Sequence, residues 1–259
     1  MISYEREGDH GAIVLSRPPV NAMGADFVET FHAALDRAEA DGPRAALVIR
    51  STMRCFCAGA DLAMIAALFE APDGPLRMHD YVAGLHGLFD RLEAFPAVTV
   101  AAIGGAAMGG GLELALACDL RIVAEEARIG LPEADVGMIP GAGGTQRLTR
   151  LCGEGTAKRL ILAAELVGGA EAKALGIAQY CVPAAEVDAA SRALAARISG
   201  LSAGALRASK SCIAAALDPA ADGFARELAV PLDLMRTGEA RARVNAFFAR
   251  RAQSAKAHT

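Results

Sequence analysis

Two glutamates stand beside turns in stretches that are otherwise apolar and uncharged. Glu113 follows the Gly-rich segment 104–111, and Glu133 follows Pro132 twenty positions later. Carboxylates seldom enter low-polarity surroundings unless they are paired or functional, and glycines let backbone N–H groups approach a ligand closely. Paired carboxyl groups beside free N–H groups can move protons next to a carbonyl oxygen that gains negative charge. These residue types therefore indicate an enzyme.

Two small-residue turns are each expected to open a helix and to present unpaired backbone N–H groups. In the first, segment 56–62, Asp61 is a suitable helix N-cap. The second, segment 108–113, puts amides at a helix N-terminus, which favours oxyanions, and its spacing fits neither the dinucleotide-binding pattern nor the P-loop. An ordinary strand-to-helix connection explains either turn alone, and a solvated helix start explains either glutamate alone. The combination of two turns and two glutamates favours catalysis.

The elements that must position these residues alternate between strands and helices in the first part of the chain. Apolar runs predict strands at 1–6, 11–16, 45–50, 98–103 and 120–124, and helical spacing predicts helices at 25–41, 81–94 and 110–117. After about residue 152 the pattern is almost wholly helical, with helices at 156–162, 170–175, 184–198, 204–217 and 223–252. We therefore predict an α/β core at residues 1–195 and a helical C-terminal region at 196–259 that buries its apolar faces on another subunit.

Composition and charge exclude several classes of function. A chain of 259 residues, 53% hydrophobic but 5% aromatic, can bury one large core and a smaller appendage. A net charge of −4 gives no broad attraction for nucleic acid. The most apolar stretch, 97–118, contains many glycines and Glu113, so a buried segment is expected rather than a membrane span. The N-terminus has neither an apolar nor a basic leader, which predicts a cytoplasmic location.

The six cysteines give no pattern of metal ligands. Most of them lie among apolar neighbours, as small buried thiols do in a reducing compartment. Cys55 and Cys57 form a lone pair without a His or Cys partner at metal-ligand spacing. No metal site is predicted.

An ordered set of motifs resembles the crotonase, or enoyl-CoA hydratase/isomerase, superfamily over roughly residues 3 to 250. The motifs are Arg-Pro-Pro-Val-Asn-Ala at 17–22, Phe-Cys-Ala-Gly-Ala-Asp at 56–61, the segment 104–113, Cys-Asp at 118–119, Leu-Pro-Glu at 131–133, the segment 137–147 and Gly-Ile at 176–177. The resemblance implies an α/β fold of the crotonase type, a spiral of β-β-α units with a C-terminal helical trimerisation region. It also implies a homotrimer or a dimer of trimers.

The resemblance also implies roles for individual residues. The oxyanion-hole amides fall on Ala60 and Gly110, which would stabilise the thioester oxygen as it gains enolate charge. The catalytic acids fall on Glu113 and Glu133, which would activate one water for attack at C3, while Glu133 supplies the proton that reaches C2. Contacts with coenzyme A are expected from the turns around these residues, at Val20, Ala22, Ala58, Asp61, Leu62 and Gly109.

Several side chains near these positions have a weaker claim to function. His79 and His86 are expected to line the acyl pocket or to lie on the surface. Asp135 fits a solvated helix residue or a polar contact with the substrate, and Asp119 is expected to be structural. Met64, Ile65, Leu68 and Phe69 fit either an acyl-pocket wall or the buried stripe of a helix.

Both glutamates together favour an enoyl-CoA hydratase, a hydro-lyase that performs reversible syn addition of water to a trans-2-enoyl-CoA. Its product is a 3-hydroxyacyl-CoA, as in fatty-acid β-oxidation or related acyl-CoA catabolism. Neither a metal nor a redox cofactor is expected, and coenzyme A is part of the substrate. Three alternatives stay open: an enoyl-CoA isomerase with Glu133 as its single proton shuttle, a specialised acyl-CoA dehydratase, and a non-catalytic CoA-thioester-binding scaffold. The sequence does not give the acyl chain, because acyl specificity is expected to lie in the least patterned segment, around 63–92.

Overall fold

A computed structural model describes residues 1–42 and 44–256 of the chain. The strands of the described residues are β1 (Ile2–Glu7), β2 (His10–Leu15), β3 (Ala46–Ser51), β4 (Val98–Ile103), β5 (Ala107–Met108), β6 (Leu120–Ala124), β7 (Arg128–Gly130), β8 (Val167–Gly168) and β9 (Tyr180–Val182). Six of them form a sheet in the order β1-β2-β3-β4-β6-β9, in which β1 is antiparallel to β2 and the other neighbours are parallel. Strands therefore add to this sheet in chain order: β1 and β2 form a hairpin, and each later strand follows a crossover.

Helices fill the connections and make up the C-terminal part. They are α1 (Phe27–Ala40), α2 (Leu62–Phe69), α3 (Gly74–Glu93), α4 (Gly110–Leu116), α5 (Gly144–Leu162), α6 (Gly169–Ala174), α7 (Val187–Ser199), α8 (Ala203–Ala215), α9 (Gly223–Arg236) and α10 (Gly238–Lys256). Short 3-10 helices occupy Glu133–Val136 and Ala184–Glu186. α5 is interrupted at Gly153, where the backbone leaves helical geometry.

The core lies on both faces of the six-stranded sheet. Every residue of β2 and β4 is buried, which explains their apolar runs 12–15 and 100–103, because parallel strands are covered by helices on both sides. α1 buries Phe27, Phe31 and Leu35 at helical spacing. α4 is buried along its whole length, so Glu113 is carried into the interior.

A small second sheet joins the two segments that carry the glutamates. β5 pairs with β7 in parallel, and β7 pairs with β8 in antiparallel orientation. Immediately after β5, the N–H of Gly109 donates to the carbonyl of Gly130 over 2.9 Å. The start of α4 is thereby held against the segment that leads to Glu133.

The structure confirms the predicted α/β alternation and corrects the prediction for the second half of the chain. The predicted strands 98–103 and 120–124 match β4 and β6, and the other predicted strands are within one residue of β1, β2 and β3. The almost wholly helical pattern predicted after residue 152 missed two short strands, β8 and β9, and β9 pairs with β6 at the sheet edge. Two helices begin well before their predicted starts at 81 and 156, namely α3 at Gly74 and α5 at Gly144. The predicted helix 223–252 is two helices, separated at the extended residue Thr237.

The chain divides into two compact units, Met1–Ile198 and a second unit that begins at Ser199. The boundary predicted after residue 195 is three residues earlier, and the oligomerisation role of the second unit stays a prediction. Within the described residues, no helix combines the length and apolar character that a membrane span requires. The cytoplasmic location also stays a prediction.

Candidate active site

The two small-residue turns pack backbone against backbone. Phe56 and Cys57 both donate their N–H groups to the carbonyl of Ala106, and the N–H of Met108 donates to the carbonyl of Cys57 over 3.0 Å. A Cβ atom on Gly111 would overlap that same Cys57 carbonyl. Contacts this close between main chains are possible only without side chains, which is why small residues recur in both segments.

The first turn continues into a bridge between Met23 and Ala60. The N–H of Met23 donates to the carbonyl of Gly59 over 2.8 Å, and the N–H of Asp61 donates to the carbonyl of Met23 over 3.1 Å. Because N–H groups alternate in direction along an extended strand, this bridge leaves the N–H of Ala60 pointing away from Met23. Gly59 has a φ of +88°, a conformation that favours glycine.

The amides of Ala60 and Gly110 are neighbours at the edge of a cavity. A Cβ atom on Gly110 would lie 3.7 Å from the nitrogen of Ala60, and both residues line the cavity. In the described part of the chain, neither N–H has a hydrogen-bond acceptor. Two unpaired donors side by side form an anion-binding pair, as an oxyanion hole requires.

Asp61 determines where α2 begins. Its carboxylate Oδ1 accepts the N–H groups of Ala63 at 3.0 Å and Met64 at 3.2 Å. The predicted N-cap is therefore confirmed. Its carboxylate serves the helix start, and Asp61 is not among the residues that line the cavity.

Glu113 is a buried carboxylate with two backbone donors. It lies in the first turn of α4 with 3% of its surface exposed. Its Oε1 accepts the N–H groups of Ala142 at 2.8 Å and Gly144 at 2.7 Å. Burial raises the pKa of Glu113, and the two N–H donors, followed by the charges of His86 and Arg147, oppose that rise.

Arg147 holds the turn that provides those two donors. Its guanidinium donates to the carbonyl of Ala142 over 3.1 Å, to Asp90 over 2.6 Å and to Glu93 over 2.9 Å. Only 8% of its side chain is exposed. Arg147 thus fixes the turn 140–144 to the end of α3. The sequence motif 137–147 contains this residue, but nothing in the motif indicated what the guanidinium contacts.

Glu133 presents a carboxyl group with a free oxygen. It begins the 3-10 helix and is half-buried, and a Cβ atom on Gly109 would lie 2.8 Å from its Oε1. Gly109 has a φ of +51°, so this approach also depends on glycine. Its Oε2 is buried and has no hydrogen-bond partner among residues 1–42 and 44–256. Burial, augmented by the negative charge of Glu113, raises the pKa of Glu133 to about 7.

All four predicted chemical groups face one cavity of about 760 Å³. Ala60, Gly110, Glu113 and Glu133 line it together. Of the predicted CoA contacts, Ala58, Leu62 and Gly109 also line it, whereas Val20, Ala22 and Asp61 do not. Val20 supports the first turn, since its carbonyl accepts the N–H of Ala58 over 3.0 Å. Binding of coenzyme A by any of these residues stays a prediction.

The remainder of the cavity wall is mainly apolar and comes from α3 and the segment after Glu133. Sequence reasoning expected acyl specificity in the segment 63–92 but named none of the residues that form this part of the wall, which are Met78, Tyr81, Val82, Leu85, Val136, Met138 and Ile139. Of the proposed acyl-wall residues on α2, Ile65 lines the cavity, whereas Phe69 is 76% exposed. His79, His86 and Asp135 line the cavity as exposed residues.

Asp119 and Cys57 have structural surroundings and do not line the cavity. Asp119 accepts the N–H and the hydroxyl of Thr99 at 2.7 Å and 3.0 Å, which confirms its structural role. Cys57 is buried, and burial raises the pKa of its thiol to about 12, so it stays protonated. Among the residues that the structure describes, no His, Cys, Asp or Glu cluster is arranged to hold a metal ion.

Known proteins share this sequence and fold. The sequence profile of the family described as enoyl-CoA hydratase/isomerase matches residues 6–254. The mitochondrial enoyl-CoA hydratase domain-containing protein 2 of Bos taurus is 45% identical over 172 residues, 66% of this chain and 56% of the relative. A probable enoyl-CoA hydratase of Bacillus subtilis (strain 168) is 40% identical over 186 residues, which cover 71% of this chain and 70% of the relative. The mitochondrial methylglutaconyl-CoA hydratase of Mus musculus is 38% identical over 183 residues, which cover 69% of this chain and 57% of the relative. The chain thus spans little more than half the length of the two mitochondrial relatives.

Solved structures extend the similarity to nearly the whole chain. DspI of Pseudomonas aeruginosa has a TM-score of 0.89 at 36% identity, with 96% of this chain and 94% of that one covered. An enoyl-CoA hydratase from Bacillus anthracis has a TM-score of 0.88 at 30% identity, with 96% of each chain covered. The predicted crotonase-type fold is confirmed by these neighbours. The chain belongs to the enoyl-CoA hydratase/isomerase family.

Proposed function

We propose that the protein is an enoyl-CoA hydratase that adds water reversibly, with syn geometry, to a trans-2-enoyl-CoA to give a 3-hydroxyacyl-CoA. One observation carries the proposal. Glu133, whose Oε2 has no hydrogen-bond partner among the described residues, lines the same cavity as Glu113, Ala60 and Gly110. The names of the relatives from Bos taurus and Bacillus subtilis support the same reaction.

The amides of Ala60 and Gly110 receive the thioester carbonyl oxygen. As water adds to C3, the electrons of the C2=C3 bond move toward the thioester, and its oxygen gains enolate charge. Donors that are already in place stabilise that charge without reorganising, and removal of one such donor typically costs about 3–4 kcal/mol of barrier. The close packing of the two turns keeps both donors in place.

The two glutamates move the protons. The carboxylate form of Glu113, which the N–H groups of Ala142 and Gly144 favour, takes a proton from water as the water oxygen bonds to C3. Glu133, with a pKa of about 7, carries a proton near neutral pH and gives it to C2. The product has gained one water, and Glu113 is left protonated and Glu133 ionised. Return of that proton from Glu113 to Glu133 restores the starting state. The substrate undergoes no net oxidation or reduction, so the proposed reaction requires no redox cofactor.

The proposal is tested by following loss of the conjugated-enoyl absorbance of crotonyl-CoA and of longer and branched enoyl-CoAs. Glu113→Gln and Glu133→Gln are each expected to lower kcat by a factor on the order of 10² to 10⁴, because general acid–base catalysis contributes that much. The matched control is Glu29→Gln on the exposed surface of α1, which is expected to retain full activity. Wild-type protein without activity on the whole series would overturn the hydratase assignment.

The same variants separate the alternatives within the family. An isomerase that uses Glu133 alone retains double-bond migration in Glu113→Gln, whereas the hydratase loses turnover. A CoA-thioester-binding scaffold binds enoyl-CoA without turnover in any variant. One relative is named methylglutaconyl-CoA hydratase, so the substrates tested should include an enoyl-CoA with a substituted acyl chain.

The proposed function includes a homo-oligomer, a trimer or a dimer of trimers, formed through the C-terminal helices. Support comes from large apolar side chains that are exposed on the second unit. On α9 they are Phe224, Leu228, Leu232 and Met235, and on α10 they are Val244, Phe247 and Phe248. Exposed apolar faces of this extent are typical of protein–protein contacts.

A further inference from the structure

The hydroxyl of Tyr81 makes a hydrogen bond that the proposed reaction does not explain. Tyr81 lies on α3 and lines the cavity, but its hydroxyl donates to the carbonyl oxygen of Met23 over 2.8 Å. The same carbonyl accepts the N–H of Asp61 over 3.1 Å. The Met23 carbonyl therefore has two donors, one from the first turn and one from α3.

Met23 contacts both residues of the proposed oxyanion hole. Its N–H and its carbonyl bond to Gly59 and Asp61, the residues on either side of Ala60. Its Sδ would lie 3.1 Å from a Cβ atom on Gly110. Because Met23 is fully buried, a shift of this residue is transmitted to the residues that carry both amides.

Tyr81 stays a hydrogen-bond donor under all ordinary conditions. Burial raises the pKa of its phenol, and the nearby Cys57, Asp61 and Glu113 raise it further. The hydroxyl therefore does not ionise near neutral pH. A proton on the phenol is what the bond to Met23 requires.

We propose that Tyr81 is a positioning residue for the oxyanion hole: its hydroxyl fixes the carbonyl of Met23, and Met23 in turn fixes the amides of Ala60 and Gly110. The inference rests on the proposed function, since these amides act only on a bound thioester. It also gives α3 a second role besides lining the acyl cavity. The opposing interpretation is that Tyr81 only contacts the acyl chain or only stabilises the fold.

The first measurement compares Tyr81→Phe with the wild type in steady-state hydration. Loss of one neutral hydrogen bond that acts on the transition state lowers kcat roughly threefold to tenfold and leaves KM nearly unchanged. The matched control is Tyr4→Phe, which removes a hydroxyl that donates to Asp41 over 2.6 Å and does not line the cavity. Tyr4→Phe is expected to keep wild-type kcat and KM. A raised KM with unchanged kcat in Tyr81→Phe would overturn the proposal in favour of substrate contact.

The second measurement does not depend on turnover. An aryl-conjugated enoyl-CoA absorbs at longer wavelength when hydrogen bonds draw charge onto its carbonyl oxygen, so its bound spectrum reports on the two amides. We expect a red shift on wild type and Tyr4→Phe, and a smaller shift on Tyr81→Phe. An equal shift on all three proteins would overturn the proposal, even if Tyr81→Phe unfolds at a lower temperature. A wild type that shifts the spectrum in a Tyr81-dependent way without hydrating any substrate would overturn only the hydratase assignment.

Discussion

Glu113 and Glu133 differ in the number of hydrogen-bond donors that reach their carboxyl groups. Glu113 accepts two backbone N–H groups, whereas the buried Oε2 of Glu133 accepts none among the described residues. Hydrogen bonds to an ionised carboxylate favour its charged form, and burial favours the protonated form; at Glu133 burial outweighs the one opposing hydrogen bond, from its own backbone N–H. This difference supports Glu113 as the base and Glu133 as the acid in the proposed hydration, although both residues are glutamates.

The pH dependence of kcat/KM follows from the pKa of Glu133. Its pKa of about 7 is above the ordinary value, so the proton that hydration requires is present below pH 7 and is lost above it. We expect kcat/KM for hydration to fall about tenfold per pH unit on the alkaline side of that pKa. The dehydration profile must fall over the same range, because each direction requires one proton on the pair.

Initial rates at low substrate in both directions test this expectation. In Glu133→Gln the residual activity is expected to lose this alkaline decline. If the same decline persists in that variant, a group other than Glu133 titrates, and the assignment of Glu133 as the acid is contradicted.

Individual site residues were predictable where a local motif carries them. Ala60, Gly110 and Glu113 belong to short glycine-containing segments, and Glu133 follows Pro132 directly. Arg147 and Tyr81 were not predictable, because their partners are 57 and 58 positions away in the sequence. A side chain that acts through the main chain of a distant segment leaves no local pattern.

At the level of elements, α4 depends on contact without side chains. Gly111→Ala places a methyl group against the carbonyl of Cys57, where only main-chain movement can relieve the overlap. We expect a loss of roughly 1–3 kcal/mol in the free energy of unfolding, together with a lower kcat. Chemical denaturation measures the first and the hydratase assay the second.

The matched control is Gly87→Ala on α3, where nothing lies within 4 Å of the new methyl group. Since alanine favours helix more than glycine does, a gain of about 0.5–1 kcal/mol is expected. Equal effects of the two substitutions would contradict the proposed packing of α4.

α5 holds the Glu113 carboxylate through Arg147. Arg147→Met leaves the carbonyl of Ala142 without that donor and releases the turn 140–144 from α3. We expect kcat to fall by roughly tenfold, as loss of a charged hydrogen bond of about 1.5 kcal/mol would give. The measurement is kcat and KM for hydration, with KM expected to change little.

Arg159→Met is the control on the same helix, because Arg159 also pairs with two carboxylates, Glu165 and Glu171, but is 40% exposed. Its kcat is expected to stay at the wild-type value. A similar loss in both variants would show that the effect is general to α5.

Strands were predicted correctly where an apolar run in the local sequence determines them. β4 and β6 are apolar runs with clear ends, and their predicted bounds agree with the structure. β8 and β9 are two and three residues long, and they are strands only because β7 and β6 pair with them. Such short strands carry too few residues for a recognisable periodicity.

At the scale of the whole molecule, the second unit exposes an apolar face that an oligomer would bury. Phe224, Leu228, Leu232 and Met235 follow helical spacing along α9 and are 60% to 83% exposed. We expect Leu228→Asp to dissociate the proposed trimer, because burial of an unpaired carboxylate is unfavourable. Sedimentation velocity measures the change in mass.

Ala229→Asp puts the same charge on another face of α9 and is expected to leave the oligomer intact. A wild-type protein that sediments as a monomer at all concentrations would contradict the oligomer. Loss of the oligomer in both variants would point to damage to the helix itself.

The carbonyl of Ala106 links the two small-residue turns and so determines how the site can open locally. It accepts the N–H groups of Phe56 and Cys57, which joins the segment after β3 to the segment after β4. These two amides can exchange their hydrogens with solvent only when the two segments separate. Their exchange rates therefore report the free energy of that opening, and with it how much of the first unit must unfold before the paired donors are lost.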